Sequence, residues 1–260
     1  MFRRPRATAP ERVVCELGQL LAPLTLFPWG PFAMHYLGVP IVQGIAMIVV
    51  RDVDCALASQ KLIDAGFTPT TPDRRPAPEI WEKLPNQQEV LEQVNRGYDR
   101  LDQSTAMFSF PTGHPERGLK LVLIPNSFAR LPIDDTMPDL NSGTPTIAAE
   151  QYDIYDNVFH PLEPALTESF VKAAVDDHDK KCQVSAWGQS LRAWISMMVG
   201  YVEVNNDILD NCADERAVEW YSVNFGRIRE EKFGPFDRRV SKRLGSGKEM
   251  SVDTRGQPLP

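Results

Sequence analysis

Several features are scarce in this 260-residue chain. No uninterrupted apolar run is long enough to span a bilayer, so no membrane-crossing helix is expected. The N-terminus "MFRRPRATAPERVV" has arginines but no clean signal-peptide core. The later run "LGQLLAPLTLF" follows Glu16 and contains Pro23, so it reads as part of the fold; an Arg-rich organellar presequence is the alternative. Cysteine is limited to Cys15, Cys55, Cys182 and Cys212, far apart and with no C-x-x-C pair. They are expected to be free thiols of a cytoplasmic protein. The histidines make no metal-ligand spacing with one another or with a cysteine. Gly245-Ser246-Gly247-Lys248 lacks the full phosphate-loop pattern and the strand that should precede it, and reads as flexible tail. Ser127 has no Gly-x-Ser-x-Gly context, which argues against a nucleophile elbow.

What is present is an ordinary globular composition, 42% hydrophobic and 24% charged. The length allows one large domain or a medium domain with a helical addition. The net charge of -7 is uneven. Residues 1–12 carry four arginines against Glu11, and residues 226–260 carry nine Lys/Arg against five acids. The span between them therefore holds -14. An acidic body argues against general nucleic-acid binding. The basic 226–260 segment is expected to be a solvated, mobile tail.

The pattern predicts an α/β protein of the α+β kind, with a small mixed β-sheet flanked by helices and a helical C-terminal part. "IVQGIAMIVV" reads as a strand covered on both faces, because it is nearly continuously apolar and β-branched. Asp54 follows in an N-cap position, and "CALASQKLIDAGF" is a helix stopped by Gly66. "LAPLTLF" reads as a short strand or buried lead-in, Trp29-Gly30-Pro31 as a turn and Phe32 to Leu37 as a short helix. "NQQEVLEQVNRGYDRLD" is amphipathic and helical. "TAMFSF" and "LKLVLIP" are strands joined by the turn "PTGHPERG". After Pro125 strand signals stop and the remainder reads as helical, with Trp187, Leu191, Trp194, Met198, Val202 and Leu209 on one side. The division expected is an N-terminal segment 1–20, an α/β unit 21–135 with a Pro-rich excursion at 68–86, a helical part 136–225 and the basic tail.

The stretch "GPFAMHYLGVPIVQGIAMIVV" resembles a group of fungal proteins with a nucleotidyltransferase-like fold. Members carry a Gly-x-x-Ala-x-x-x-Tyr-x-Val-Pro-Arg segment, then a strand with Asp-x-Glu or Asp-x-Asp. Gly30, Ala33, Tyr36, Val39 and Pro40 fall on that frame, with Tyr36 one place earlier than in some versions. The resemblance implies a nucleotidyltransferase-like sheet and a ligand cleft at Gly30, His35, Tyr36, Ile45 and Met47. It also implies where the chemistry departs. The metal-holding carboxylate positions fall at Ile45 and Met47, and Ile41 stands where the Arg after Val-Pro should be. "TAMFSF" and "LKLVLIP" contain no acid that could serve as the third ligand. Because Mg²⁺ takes oxygen ligands, standard two-metal nucleotidyl transfer is expected to be lost.

Three function classes follow. The first is a divergent member that kept the cleft and binds a small molecule, a nucleotide or a protein partner. The second is an active transferase with relocated acidic ligands, Asp52 and Asp54 or Asp134 and Asp135, which alone would require Mg²⁺. The third is a non-catalytic accessory protein of a fungal metabolic pathway. Asp54 reads better as a helix cap and Asp52 as a turn residue, since carboxylates favour a helix N-terminus. Asp134, Asp135 and Asp139 read as a solvated acidic loop. His35 is a weak catalytic candidate beside the expected cleft, His114 reads as a surface residue and His160 as part of a segment end.

Overall fold

The structure, a computed structural model, describes residues 4–133, 151–178, 185–202, 204, 208–209, 211–225, 228–229 and 237–238. Two parallel strands form its centre. β2 (Ile45–Val50) lies beside β5 (Lys120–Pro125), with Ile45 opposite Lys120 and Met47 opposite Val122. β1 (Phe27–Trp29) pairs antiparallel with β2, β4 (Ala106–Ser109) pairs antiparallel with β5, and β3 (Thr68–Pro69) closes the far edge. The order is β1-β2-β5-β4-β3. Alternate residues of β2 and β5 enter different cores, because successive side chains of a strand point to opposite faces. Met47, Val49, Val122 and Ile124 join one buried cluster, and Ala46, Ile48, Leu121 and Leu123 join the other. Covering both faces is what requires the near-continuous apolar runs.

Helices supply the covers. α1 (Arg12–Leu21) buries Val13, Val14, Leu17 and Leu21 on one side of the sheet, and α3 (Cys55–Asp64) adds Ala58 and Leu62 there. On the other side lie α2 (Pro31–Tyr36), α7 (Asn126–Ala129), α8 (Glu163–His178), α9 (Ala186–Tyr201) and α10 (Glu215–Phe225). α3 ends as its sequence requires: Gly66 takes φ +88°, and the Phe67 N–H reaches back to the Leu62 carbonyl at 3.0 Å. The molecule is thus a small mixed sheet flanked by helices. The core that contains Trp29 and Met47 also contains Phe170, Leu191 and Tyr221, so it runs across the 135/136 division.

Several expectations are corrected. β2 begins at Ile45 and not at Ile41. Residues 12–21 are a core helix and not merely an N-terminal segment. The 86–102 helix is two, α5 (Gln87–Arg96) and α6 (Asp99–Ser104), broken at Gly97. The break is a docking point: the Trp187 N–H donates to the Gly97 carbonyl at 3.0 Å, and a Cβ on Gly97 would stand 2.7 Å from that of Ala186. Within the Pro-rich excursion, Pro78–Trp81 form the short helix α4, and Arg74 is pinned to Asp102.

The main correction follows Pro125. Tyr152–Tyr155 (β6) and Val158–Pro161 (β7) form an antiparallel hairpin, so the chain after Pro125 is not purely helical. Asp156 makes the turn at φ +53°, a conformation that Asp adopts more readily than most residues. Asn157 then donates to the Gly18 carbonyl at 2.9 Å and to the Leu24 carbonyl at 2.7 Å, tying the hairpin to α1 and to the chain that follows it. The tail reading lies largely outside the described residues; within it, Ile228–Arg229 (β8) and Asp237–Arg238 (β9) pair antiparallel.

Candidate functional site

A pocket of about 520 Å³ opens on the sheet face that carries Met47. Its floor is Ile45 and Met47 of β2, Met107 of β4 and Lys120 of β5. The register explains why these share a face: Ile45 stands opposite Lys120, and Met47 and Met107 both stand opposite Val122. One wall is Trp187, Ser190 and Trp194, at spacings of three and four on α9. The facing wall is Val94, Tyr98 and Leu101, from α5 to α6. Pro72, Asp73 and Arg74 of the Pro-rich segment form the rim.

The aromatic wall is held from behind. Trp187 and Trp194 meet edge to face at 5.4 Å and 88°, and Trp29 packs against both, at 5.9 and 5.7 Å. Trp29 is fully buried, and its indole N–H donates to Ser169 Oγ at 2.8 Å. Ser169 in turn donates to the Ala129 carbonyl. Tyr98 and Ser190 hydroxyls bridge the two walls at 3.2 Å. This is a pre-shaped concavity, mostly apolar with a few polar groups at its edge, in the size range of small-molecule sites.

Charge at the rim is largely internal. Arg74 makes two hydrogen bonds to Asp102, at 2.7 and 2.5 Å, and its guanidinium lies 4.3 Å from the Tyr98 ring centroid. Asp73 accepts from Arg75 side-chain nitrogens at 2.9 and 2.6 Å; those bonds hold its carboxyl down to about 2, with Lys120 a minor contributor. Lys120 donates to Ser109 Oγ at 2.7 Å and has no carboxylate at ion-pair distance among the described residues.

The residues singled out in the sequence fall in different places. Ile45 and Met47 line the pocket. Gly30 lies beneath it: at φ +59°, a Cβ there would stand 2.8 Å from Met47 Sδ and 3.1 Å from the Trp194 ring. His35 is elsewhere, with Nδ1 2.7 Å from Glu11 Oε1 but not aligned for a hydrogen bond. Glu11 Oε1 also accepts from Gln43. Tyr36 is buried away from the pocket, donating to Asp153 at 2.7 Å, meeting the Tyr155 hydroxyl at 2.8 Å and stacking on His160. The expected five-residue cleft is therefore not one cleft.

Asp52 and Asp54 lie past the C-terminal end of β2, whereas the pocket floor uses its first half. Asp54 accepts from Arg51 Nε at 2.7 Å, and Asp52 accepts from the Ser127 N–H at 2.9 Å in the first turn of α7. The expected side-chain cap of α3 by Asp54 is absent. A 3-10 turn over Asp52–Asp54 runs straight into α3, leaving Asp54 at φ -92°, ψ -11° instead of the extended backbone a capping side chain needs. Asp134, Asp135 and Asp139 lie outside the described residues. Among the described residues, no group of three or more His, Cys, Asp or Glu is placed to hold a metal ion.

A second cavity, of about 590 Å³, lies on the opposite sheet face between α1 and the 110–115 turn. Its charged groups are paired with one another: Arg12 donates to Glu16 at 2.7 Å, and His114 Nε2 meets Glu16 at 3.1 Å. His114 Nδ1 accepts from the Glu116 N–H at 3.1 Å, so the neutral ring carries its proton on Nε2 and keeps no free nitrogen.

The sequence reading missed Lys120, Arg74, Met107 and Tyr98 as pocket residues; it gives Trp187 and Trp194 as rings that could stack a ligand, with core the more common role of an aromatic stripe at helical spacing. The strand alternation of "LKLVLIP" does put Lys120 on the Val122 face, which is the one signal that was available. Among the described residues, no helix is long and apolar enough to cross a membrane. No protein family, curated protein or solved structure matches the chain.

Proposed function

We propose that this chain is a divergent protein of nucleotidyltransferase-like fold, of the kind known from fungi, that binds a small molecule in the 520 Å³ pocket without standard two-metal nucleotidyl transfer. The observation that carries this reading is the pocket floor. Ile45 and Met47, on the strand where metal carboxylates would be needed, face the pocket. Their same-face neighbours are Lys120, Val122, Met107 and Ser109, none of them acidic. Thioethers, alkyl chains and an ammonium supply no hard oxygen ligands for Mg²⁺. Asp52 and Asp54 serve Ser127 and Arg51 instead, which weighs against a relocated metal site there.

Thermal denaturation with nucleotides, with and without Mg²⁺ or Mn²⁺, tests the reading. Ligands that bind only the native state raise the apparent stability. The expected result is no stabilisation that depends on the metal. Metal-dependent stabilisation by a nucleoside triphosphate would restore the transferase reading.

A further inference from the structure

Resting on the reading of this pocket as a small-molecule site, we infer that its ligand is a planar aromatic monoanion, with the charge on Lys120 and the ring between Trp194, Trp187 and Tyr98. Lys120 is half-buried in the floor and spends one hydrogen bond on the neutral Ser109 hydroxyl. An ammonium has three donors, so two remain. The other cation of the rim, Arg74, is neutralised by both oxygens of Asp102. Asp73, the acid that lines the pocket, is held by Arg75. One positive charge is therefore on offer, which suits a carboxylate, sulfonate or singly charged phosphoester. A nucleoside triphosphate needs several cations or a metal to offset its charge, and this pocket presents one lysine.

The remainder of the surface asks for a flat apolar body. Two tryptophans and a tyrosine flank the cavity, and their rings are held by packing behind them, so little side-chain freedom is lost on binding. Trp187, in the wall and 2% exposed, has an indole N–H with no acceptor among the described residues. That nitrogen is itself closed off from solvent, so the ligand is recognised by Lys120 and the ring surfaces and not by this donor.

The test is binding of 2-naphthoate and its neutral analogue 2-naphthamide to the full chain, followed by tryptophan fluorescence and calorimetry, with ATP in the presence and absence of Mg²⁺ as the contrast. Naphthoate is expected to bind about tenfold more tightly than the amide, the difference one charge-assisted hydrogen bond makes. Lys120→Met should bring naphthoate down to the affinity of the amide, Lys120→Arg should keep the preference, and Trp194→Leu should weaken both compounds alike. Equal binding of the two compounds by the unaltered chain, or no binding of either, overturns the inference and leaves the cleft reading standing. ATP bound in preference to both and only with Mg²⁺ overturns the metal-free reading beneath it.

Discussion

His160 is 1% exposed, neither of its ring nitrogens has a hydrogen-bond partner among the described residues, and it stacks on Tyr36 at 4.0 Å. Burial pushes its pKa down to about 4, against a smaller opposing pull from Asp153. The unfolded chain, with an ordinary histidine near 6.5, therefore binds more protons than the folded chain between those values. Stability from this residue is fully present above about pH 6.5 and is lost as pH falls through about pH 4. By about pH 5 the loss amounts to roughly 2 kcal/mol. His160→Phe should remove much of this acid sensitivity, read as the difference in urea midpoint between about pH 7 and about pH 5. An unchanged pH dependence would show that the ring titrates normally. Gly30 gives a second test at this scale. Gly30→Ala meets both a left-handed φ and a 2.8 Å approach to Met47 Sδ. Overpacking of this kind costs on the order of 1–3 kcal/mol and should lower Tm by several degrees.

Among elements, the β6–β7 hairpin is attached through the backbone of Leu26, whose N–H donates to the Asn157 carbonyl and whose carbonyl accepts from the Phe159 N–H, both at 2.9 Å, and through the side chain of Asn157. Asn157→Ala removes donors from two carbonyls, Gly18 and Leu24, at a site where Asn157 is 7% exposed. The Gly18 carbonyl keeps the Ala22 N–H at 3.0 Å, so the Leu24 carbonyl is the one that loses its donor, and a loss of roughly 1–3 kcal/mol is expected in chemical denaturation. A loss under about 1 kcal/mol would mean that the hairpin holds without this anchor. Asp52 links the end of β2 to α7 in the same manner but at an exposed site. Asp52→Ala should cost about 1 kcal/mol, in the range of a lost helix cap, and should leave ligand binding in the pocket unchanged. Legibility also varied by element. β2, α3 and β5 were readable because long apolar or amphipathic runs ended at Gly66 and Pro125. β6 and β7 were not. They are four residues each, and "VFHP" ends in a histidine and a proline that read as segment ends. What makes them strands is pairing with each other and burial of Val158, Phe159 and His160.

For the whole molecule, the sheet is stable only between its two covers. One face rests on α1 and α3, and the other on α8, α9 and α10. Trp29, fully buried, shows the dependence: it packs on Phe170 at 5.2 Å and bonds Ser169, both from α8. A fragment ending at residue 133 should therefore lack cooperative unfolding and be cleaved quickly by protease, whereas the full chain unfolds in one transition. A fragment with a sharp thermal transition would make the 21–135 unit an independent domain.

By itself, the sequence determined most of the elements, the two-faced burial of the central strands, and the absence of acids at positions 45 and 47 together with the strands beside them. These are local properties, set by side-chain periodicity and residue identity within one segment. Only the tertiary structure decided that Lys120, Arg74, Tyr98, Trp187 and Trp194 surround those positions while His35 and Tyr36 do not. Those five residues come from segments up to 120 positions apart, since Arg74 and Trp194 sit on one pocket. Periodicity states which face of an element is apolar; which faces meet depends on packing across the chain, as at Gly97, where α9 docks into a break between two helices.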